Sequence, residues 1–263
     1  MEQVVIENPA PHGTIFDSHA HYDDSRFNDC RDELFSSLES LGVCGVINCA
    51  VDEKSSKRIC EISKKYDFCY SAIGFHPENL PESEPDLSLI EKFFNDEKTV
   101  AVGEIGLDYY WTKDNIELQK KWFCAQADFA NQISLPVIVH DREAHADTLN
   151  ILKDIKPRGV LHCFSGSAET AMEILKLGMY IGVGGVSTFK NAKNARNVIE
   201  SVPLERILLE TDAPYLAPEP YRGKTCHSGM IIRVAEVIAR IKDISIETVL
   251  NTTKQNALDL FNI

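Results

Sequence analysis

The sequence predicts a single α/β domain, a TIM-type (β/α)8 barrel that spans residues 1–263. Three observations support this: eight short runs that are rich in apolar residues, segments with helical periodicity between them, and a length of 263 residues. Barrels of this type take about 250 residues. Strand runs that are nearly continuous in apolar residues are typical of a parallel sheet that is buried on both faces.

Each predicted strand is a short apolar run that is bounded by turn residues. In chain order the runs are TIFDSHAH, GVINCA, YSAIGFH, VAVGEIG, PVIVH, GVLHCF, YIGVGG and ILLETD. The gap after the first run carries Leu34, Leu38 and Leu41 at helical spacing. The segment HPENLPESEPD, residues 76–86, is rich in proline and acids, and we expect a long loop there. The GVGG at 182–185 indicates tight packing at the end of the seventh strand.

Charge and composition exclude several classes of protein. The formal net charge of -13 argues against a broad basic face for nucleic acid, so an anionic substrate must be attracted by local charge such as a metal. The eight cysteines include no C-x-x-C pair, which predicts reduced core residues of a cytoplasmic protein. No signal-peptide pattern and no run of about 18 apolar residues occurs, so we expect no membrane interaction.

Two histidines stand at the end of the first predicted strand, in the stretch FDSHAHYDD. Side chains alternate along a strand, so His19 and His21 are expected to lie on the same side. An isolated pair of this kind is equally well explained as two surface histidines. The ends of the other strands therefore decide between the two interpretations.

Residue types that bind metals recur at those other strand ends. In a parallel barrel all the carboxyl ends meet on one face, so these side chains are expected to share one pocket. Any one of them alone is explained as well by a hydrogen bond to a loop, but together they indicate two divalent ions, either zinc, magnesium or manganese. Glu104 is the best candidate to bridge the ions. The predicted metal ligands are His19, His21, Glu104, His140, His162 and Asp212.

The charge of such a metal centre limits the classes of substrate that it would bind. Two divalent ions carry four positive charges, and two carboxylates with one hydroxide remove three, so a net positive charge remains. Phosphodiesters suit this centre, because paired ions activate water and stabilise charge on phosphoryl oxygens. Asp212 is the candidate general base.

Six ordered motifs extend over nearly the whole chain and carry a family resemblance. They are FDSHAHYDD, IGFHPE, VGEIGLDYY, LPVIVHDREA, LHCFSG and LLETDAPYLAP, and the closing NALDLF adds to them. At these residues the chain resembles the TatD family of metal-dependent deoxyribonucleases, within the amidohydrolase-like superfamily. The resemblance implies hydrolysis of DNA, with trimming of single-stranded or frayed ends from the 3′ side.

The resemblance also implies a role for each motif residue. His19 and His21 would bind the first ion, with Glu104 bridging and Asp212 completing the shell. His140 and His162 would hold the second ion, and Glu104 and Asp212 would be catalytic. His76 looks like the residue that contacts the scissile phosphate, so we assign it to substrate binding.

One loop departs from the family pattern. The chain reads PYRGKTCHSGMI from residue 220, where family members often have an Arg-Asn-Glu-Pro-like run. We expect Cys226 to begin a helix. We expect His227 to be a solvated surface residue rather than a substrate contact.

Several residues near the predicted pocket have two interpretations. Arg142 and Arg222 are candidates to bind flanking phosphates, and surface charge explains them equally well. The aromatic residues 109–111 either stack on an unpaired base or pack against the barrel rim. Asp108 is expected to orient a ligand or a loop, whereas His12 and His145 are expected at the surface.

Two other functions stay open. An amidohydrolase or an aminoacyl-tRNA deacylase would use the same barrel on a carbonyl substrate, although many two-metal amidohydrolases have a carboxylated lysine where this chain has Glu104. A non-catalytic binding protein is disfavoured because all six ligand types are present. The expected partner is a DNA substrate, with RNA left open, and no obligate protein partner is predicted.

Overall fold

The strands form one closed parallel sheet. The computed structural model describes residues 9–11 and 13–263, so that His12 lies outside the described residues. Eight strands follow one another around the sheet in chain order, and all neighbouring pairs are parallel. A parallel bridge between Ala20 and Ala213 joins the first strand to the segment that follows the last. The predicted (β/α)8 barrel is confirmed.

Each of the eight predicted runs overlaps a strand. The strands are β1 (Ile15–Ala20), β2 (Val43–Cys49), β3 (Cys69–Ile73), β4 (Thr99–Asp108), β5 (Val137–Arg142), β6 (Gly159–Leu161), β7 (Tyr180–Val183) and β8 (Ile207–Leu209). Several strands end earlier than predicted, so that four residues of interest lie one to three positions beyond the ends of β1, β3, β6 and β8, namely His21, His76, His162 and Asp212. Glu104 and His140 lie within β4 and β5.

Helices fill the gaps between the strands. They are α1 (Arg31–Leu38), α2 (Glu53–Lys65), α3 (Ser88–Glu91), α4 (Ile116–Gln132), α5 (His145–Ile155), α6 (Ala168–Lys176), α7 (Lys193–Ser201), α8 (Ile231–Lys242) and α9 (Ile246–Phe261). A capping box begins α2, in which the Asp52 carboxylate accepts the backbone N–H of Ser55 and the Ser55 hydroxyl accepts that of Asp52. Within the described residues, none of these helices has the length and apolar character needed to cross a membrane.

The interior of the barrel is apolar below the site. One buried cluster joins side chains from strands all around the sheet, such as Phe16, Ile47, Ile138 and Leu208, with the end of α9 at Phe261. Side chains from opposite sides of a closed sheet meet only inside it, so this cluster is the barrel core. It supports the polar residues at the carboxyl ends of the strands.

The barrel closes between β1 and β8 through a buried carboxylate. Asp17 is fully buried, and its side chain accepts hydrogen bonds from the Thr211 backbone N–H at 3.0 Å, from the Thr211 hydroxyl at 2.6 Å and from the Ser228 hydroxyl at 2.6 Å. Burial raises the pKa of Asp17 to about 6 while these hydrogen bonds lower it, so the carboxylate is ionised at neutral pH. The same junction carries backbone hydrogen bonds from Asp212 to His19 and from His21 to Ala213.

The prediction for the divergent loop was wrong in one respect. His227 is buried rather than solvated, and burial lowers its pKa to about 4, so the side chain is neutral. A Cβ atom at Gly229 would lie 3.2 Å from the ring of His227 and 2.6 Å from Leu41. Cys226 is also buried and lies just before the turn Ser228–Met230 that leads into α8, in agreement with its expected place near a helix start. Ser228 holds the loop against the barrel, because its backbone N–H donates to the Tyr22 hydroxyl and its hydroxyl donates to Asp17.

We predict that Asp17→Asn lowers the free energy of unfolding by about 1–3 kcal/mol. An asparagine presents an N–H2 group to two hydroxyl groups that now donate to the carboxylate, and it removes a charge-assisted hydrogen bond. Urea denaturation at neutral pH measures the change. Asp29→Asn, an exposed change of the same kind, is the control, and equal midpoints for the two variants would show that Asp17 does not hold the barrel closed.

Candidate metal centre

Glu104 lies at the centre of the candidate site. It is buried in β4, where the pairing with β5 is irregular between Val102 and Ile105. Such irregularities re-aim side chains and are common beside active sites. The two carboxylate oxygens of Glu104 face two different groups of side chains.

The first group surrounds Oε2 of Glu104. The Nε2 atoms of His19 and His21 lie 3.0 Å from each other and 3.3 and 3.4 Å from this oxygen. The Oδ1 atom of Asp212 lies 3.7 and 3.5 Å from the same two nitrogens. Ligand atoms on a tetrahedral zinc ion, at bond lengths of about 2.0–2.1 Å, are about 3.3 Å apart. These four donor atoms therefore have the spacing of a metal shell.

The second group surrounds Oε1 of Glu104. The His162 Nε2 atom lies 2.7 Å from this oxygen and the His140 Nδ1 atom lies 2.9 Å from it, and these two nitrogens are 3.3 Å apart. The spacing again fits ligands of one ion. All six predicted metal ligands thus come together, with the carboxylate of Glu104 between the two groups.

Neighbouring groups orient three of the imidazoles. His21 Nδ1 lies 3.0 Å from the Cys49 carbonyl and His19 Nδ1 lies 3.4 Å from the Cys49 thiol. His140 Nε2 lies 3.0 Å from the Asp108 carboxylate. A carbonyl or carboxylate at one ring nitrogen accepts its proton and leaves the other nitrogen free to bind a metal. Asp108 therefore orients a ligand, as the sequence predicts.

His76 differs from the other imidazoles in its tautomer. Its Nδ1 atom accepts the backbone N–H of Glu78 at 3.2 Å, so Nε2 carries the proton when the ring is neutral. Nε2 lies 3.5 Å from Oε1 of Glu104, close enough to join the second group by distance alone. Burial lowers the pKa of His76, so the ring is neutral. A nitrogen that carries a proton cannot bind a metal ion, but its N–H group can donate a hydrogen bond to an anion. This tautomer therefore favours a contact between His76 and substrate over a role as a metal ligand.

The electrostatics of the centre keep its bridging carboxylate ionised. Burial alone would raise the pKa of Glu104, but its interactions with the imidazoles of His162, His76 and His19 and the hydrogen bond with His140 lower it well below its usual value. Burial would likewise raise the pKa of Asp212, and the hydrogen bond with His21 together with nearby imidazoles lowers it. Both carboxylates are therefore in the form that binds cations.

One buried carboxyl group of the site was not predicted. Glu210 contacts the backbone N–H of Cys163 through one oxygen, and the other has no hydrogen-bond partner in the part of the chain that the structure describes. Burial raises the pKa of Glu210 to about 8, although the interaction with His162 lowers it. A side chain at Gly182 would meet this carboxyl group at 2.5 Å, which accounts for the first glycine of GVGG. Alternation along ILLETD places residue 210 on the same side as Asp212, so the sequence pattern was sufficient to predict that Glu210 faces the site.

The expected substrate contacts lie at the rim of the barrel. Arg142 and Arg222 are exposed and stand outside both donor groups, with their guanidinium groups over the rings of Tyr110 and Phe189 at 4.4 and 4.5 Å. Tyr109 packs against the core and donates its hydroxyl to Asp147 at 2.8 Å. His145 is partly buried rather than a free surface residue, and its Nδ1 atom lies 2.7 Å from Asp141.

Comparison with known proteins identifies the family. The family model described as TatD related DNase matches residues 16–262. The chain belongs to the TatD family. The TatD assignment that the motifs predict is confirmed, and the match includes every residue of the two donor groups.

Relatives of this TatD chain are metal-dependent hydrolases. YabD of Bacillus subtilis, described as an uncharacterized metal-dependent hydrolase, is 38% identical over 253 residues, which covers 95% of this chain and 99% of YabD. YcfH of Escherichia coli, with the same description, is 36% identical and the match covers 95% and 96% of the two chains. The crystal structure of YjjV, a TatD homologue from Escherichia coli, superposes with a TM-score of 0.89 at 30% identity and covers 95% of this chain and 99% of YjjV. The chain is a metal-dependent hydrolase of the TatD family.

We predict that Asp108→Asn weakens metal binding by about 10- to 100-fold. The substitution removes the negative charge that holds the proton on His140 Nε2, while the remaining amide oxygen keeps the hydrogen bonds of the following loop. Competition with a chromogenic chelator measures the affinity. Asp114→Asn, an exposed change in the same loop, serves as the control, and equal affinities for the two variants would rule out this role of Asp108.

Proposed function

We propose that this chain hydrolyses phosphodiester bonds of DNA and removes nucleotides from the 3′ side of single-stranded or frayed ends. The arrangement of Glu104 supports this most directly, because its two oxygens face two groups of metal-binding side chains. Two ions held by these groups would suit the in-line displacement at phosphorus. The description of the family model, TatD related DNase, supports the same substrate class.

The donor set suits two divalent ions of zinc, manganese or magnesium. His19, His21 and Asp212 would hold one ion and His140 and His162 the other, with Glu104 shared. Neutral imidazoles with carboxylates are typical ligands of zinc and manganese, whereas magnesium prefers oxygen ligands. When bound, the ions supply Lewis acidity and lower the pKa of water at the site.

Two residues of the chain are placed to act on the substrate. Asp212 is the least buried of the six donor residues, and its ionised carboxylate accepts the proton of the attacking water. His76 donates a hydrogen bond from its Nε2–H group to a phosphate oxygen, because its Nδ1 atom already accepts the Glu78 N–H. Arg142 and Arg222 stand at the rim, where they are available to flanking phosphates.

The location and partners form part of the same proposal. All eight cysteines are free of disulfide bonds, which supports a cytoplasmic enzyme. DNA is the proposed partner, and no membrane or obligate protein partner is needed for the chemistry. RNA is a second substrate to be tested with the same assay.

We predict metal-dependent release of nucleotides from single-stranded DNA, with the 3′ label lost before the 5′ label. The protein is stripped of metal, Mg2+, Mn2+ or Zn2+ is restored, and products are followed on a sequencing gel. His19→Ala and Glu104→Ala should lower the rate by more than about 100-fold, since even residues that only orient a ligand contribute 10- to 100-fold.

His145→Ala is the matched control, because it removes an imidazole at the barrel rim that belongs to neither donor group. Its rate should match the wild type. Stoichiometric metal binding without cleavage of DNA or RNA would contradict the proposal. In that case carbonyl substrates, including aminoacyl esters of tRNA, would be the next class to assay.

A further inference from the structure

Two aromatic side chains at the barrel rim are exposed to solvent. Tyr110 and Trp111 are 48% and 62% exposed, and their rings meet edge to face with centroids 4.7 Å apart. Their neighbour Tyr109 packs against the core and is hydrogen-bonded to Asp147. The loop therefore buries one aromatic ring and presents the other two to solvent.

A carboxylate ties these two residues to the metal centre. One oxygen of Asp108 accepts the backbone N–H groups of Tyr110 at 2.8 Å and Trp111 at 2.7 Å. The other oxygen lies 3.0 Å from Nε2 of His140. The backbone that carries the rings is thus fixed relative to a metal ligand, so a group stacked on the rings would lie at a set distance from the site.

A cation stands beside the same rings. The Arg142 guanidinium lies 4.4 Å from the centroid of Tyr110 and 5.5 Å from that of Trp111. Arg142 is two residues after His140 at the end of β5. Among the residues that the structure describes, no carboxylate lies within salt-bridge distance of it, although the chain has 40 acids. Its hydrogen-bond donors are available to a ligand.

We propose that Tyr110, Trp111 and Arg142 form a subsite for an unpaired nucleobase and its adjoining phosphate. The proposal rests on the proposed function, and it explains how the enzyme would select a single-stranded end. Aromatic rings stack on bases of any sequence, and a guanidinium binds phosphate through two hydrogen bonds. At a blunt duplex end the last base is held in its pair and exposes only its outer face, so a paired end gains less from this subsite than an unpaired base that can turn onto the rings.

Trp111 provides a direct reporter of the subsite. The chain has two tryptophans, and Trp122 is only 1% exposed. The probe is a short single-stranded oligothymidylate with phosphorothioate linkages, which resist hydrolysis, added to the metal-loaded protein. We expect it to quench the tryptophan fluorescence, and we expect a blunt duplex with the same linkages to quench it far less. Absence of quenching by the single strand would overturn the proposal.

Variants separate stacking from charge. Trp111→Ala should weaken binding of the single strand by about five- to 150-fold, the equivalent of roughly 1–3 kcal/mol for one stacked base. Trp111→Phe should retain most of the affinity because it keeps an aromatic face. Arg142→Ala should weaken binding and lower the salt dependence of the logarithm of Kd by roughly one. Fluorescence anisotropy with an end-labelled strand measures all three.

The opposite end of the barrel offers a matched control. The Arg206 guanidinium lies 5.1 Å from the ring centroid of Tyr180, but these residues precede β8 and begin β7, away from the carboxyl ends of the strands. Arg206→Ala removes the same kind of stacked cation and should leave binding unchanged. Equal losses for Arg206→Ala and Arg142→Ala would indicate a general charge effect and would overturn the proposal.

Hydrolysis of a small phosphodiester distinguishes this proposal from the proposed function. Bis(p-nitrophenyl) phosphate has no adjoining nucleotide, so Trp111→Ala should lower kcat/KM for this small substrate far less than kcat/KM for the single strand. If Trp111→Ala and the wild type cleaved DNA with equal kcat/KM, the proposed subsite would be wrong and the proposed nuclease activity would stand. If the single strand quenched the fluorescence but no phosphodiester were hydrolysed, the subsite would stand and the proposed nuclease activity would be wrong.

Discussion

Closure of the barrel between β1 and β8 is the constraint on which the site depends. Asp17 of β1 is buried against Thr211 and Ser228, and the backbone around it is bonded across the junction. That junction places Asp212 beside His19 and His21, residues that are nearly two hundred positions away in the chain. A small gap between the first and last strands would separate the ligands of one ion, so the stability of the fold and the geometry of the site rest on the same hydrogen bonds.

A second constraint is the burial of Glu104 among imidazoles. A carboxylate without partners would be neutral at this depth, and the surrounding histidines keep it ionised. Each oxygen then faces its own group of nitrogens, so the other predicted ligands lie in two groups around one carboxylate. Asp108 connects this group of side chains to the rim of the barrel. One of its oxygens contacts His140, and the other accepts the backbone N–H of Tyr110 in the loop after β4. The position of that loop is therefore coupled to the position of His140.

Most of the fold and the donor set could be predicted, because strand ends in a parallel barrel share one face. The details that were missed depend on local irregularity and on tertiary contacts. The role of Asp17 was not predicted, because the pairing of β1 with β2 shifts between Asp17 and Ala20 and the carboxylate turns to Thr211, just beyond β8. His227 was expected in solvent, yet hydrogen bonds of the neighbouring Ser228 to Tyr22 and Asp17 hold its loop against the barrel, and this tertiary contact has no local pattern. Glu210 was predictable from alternation along the run that ends in Asp212.

We propose that one carboxylate, that of Glu104, joins two metal positions. Anomalous X-ray diffraction from crystals grown with Mn2+, recorded at the manganese absorption edge, would locate the ions. We expect two anomalous peaks about 3.5–4 Å apart, one beside His19 and His21, the other beside His140 and His162, with an oxygen of Glu104 at each. A single peak, or a pair in which Glu104 contacts only one ion, would contradict it.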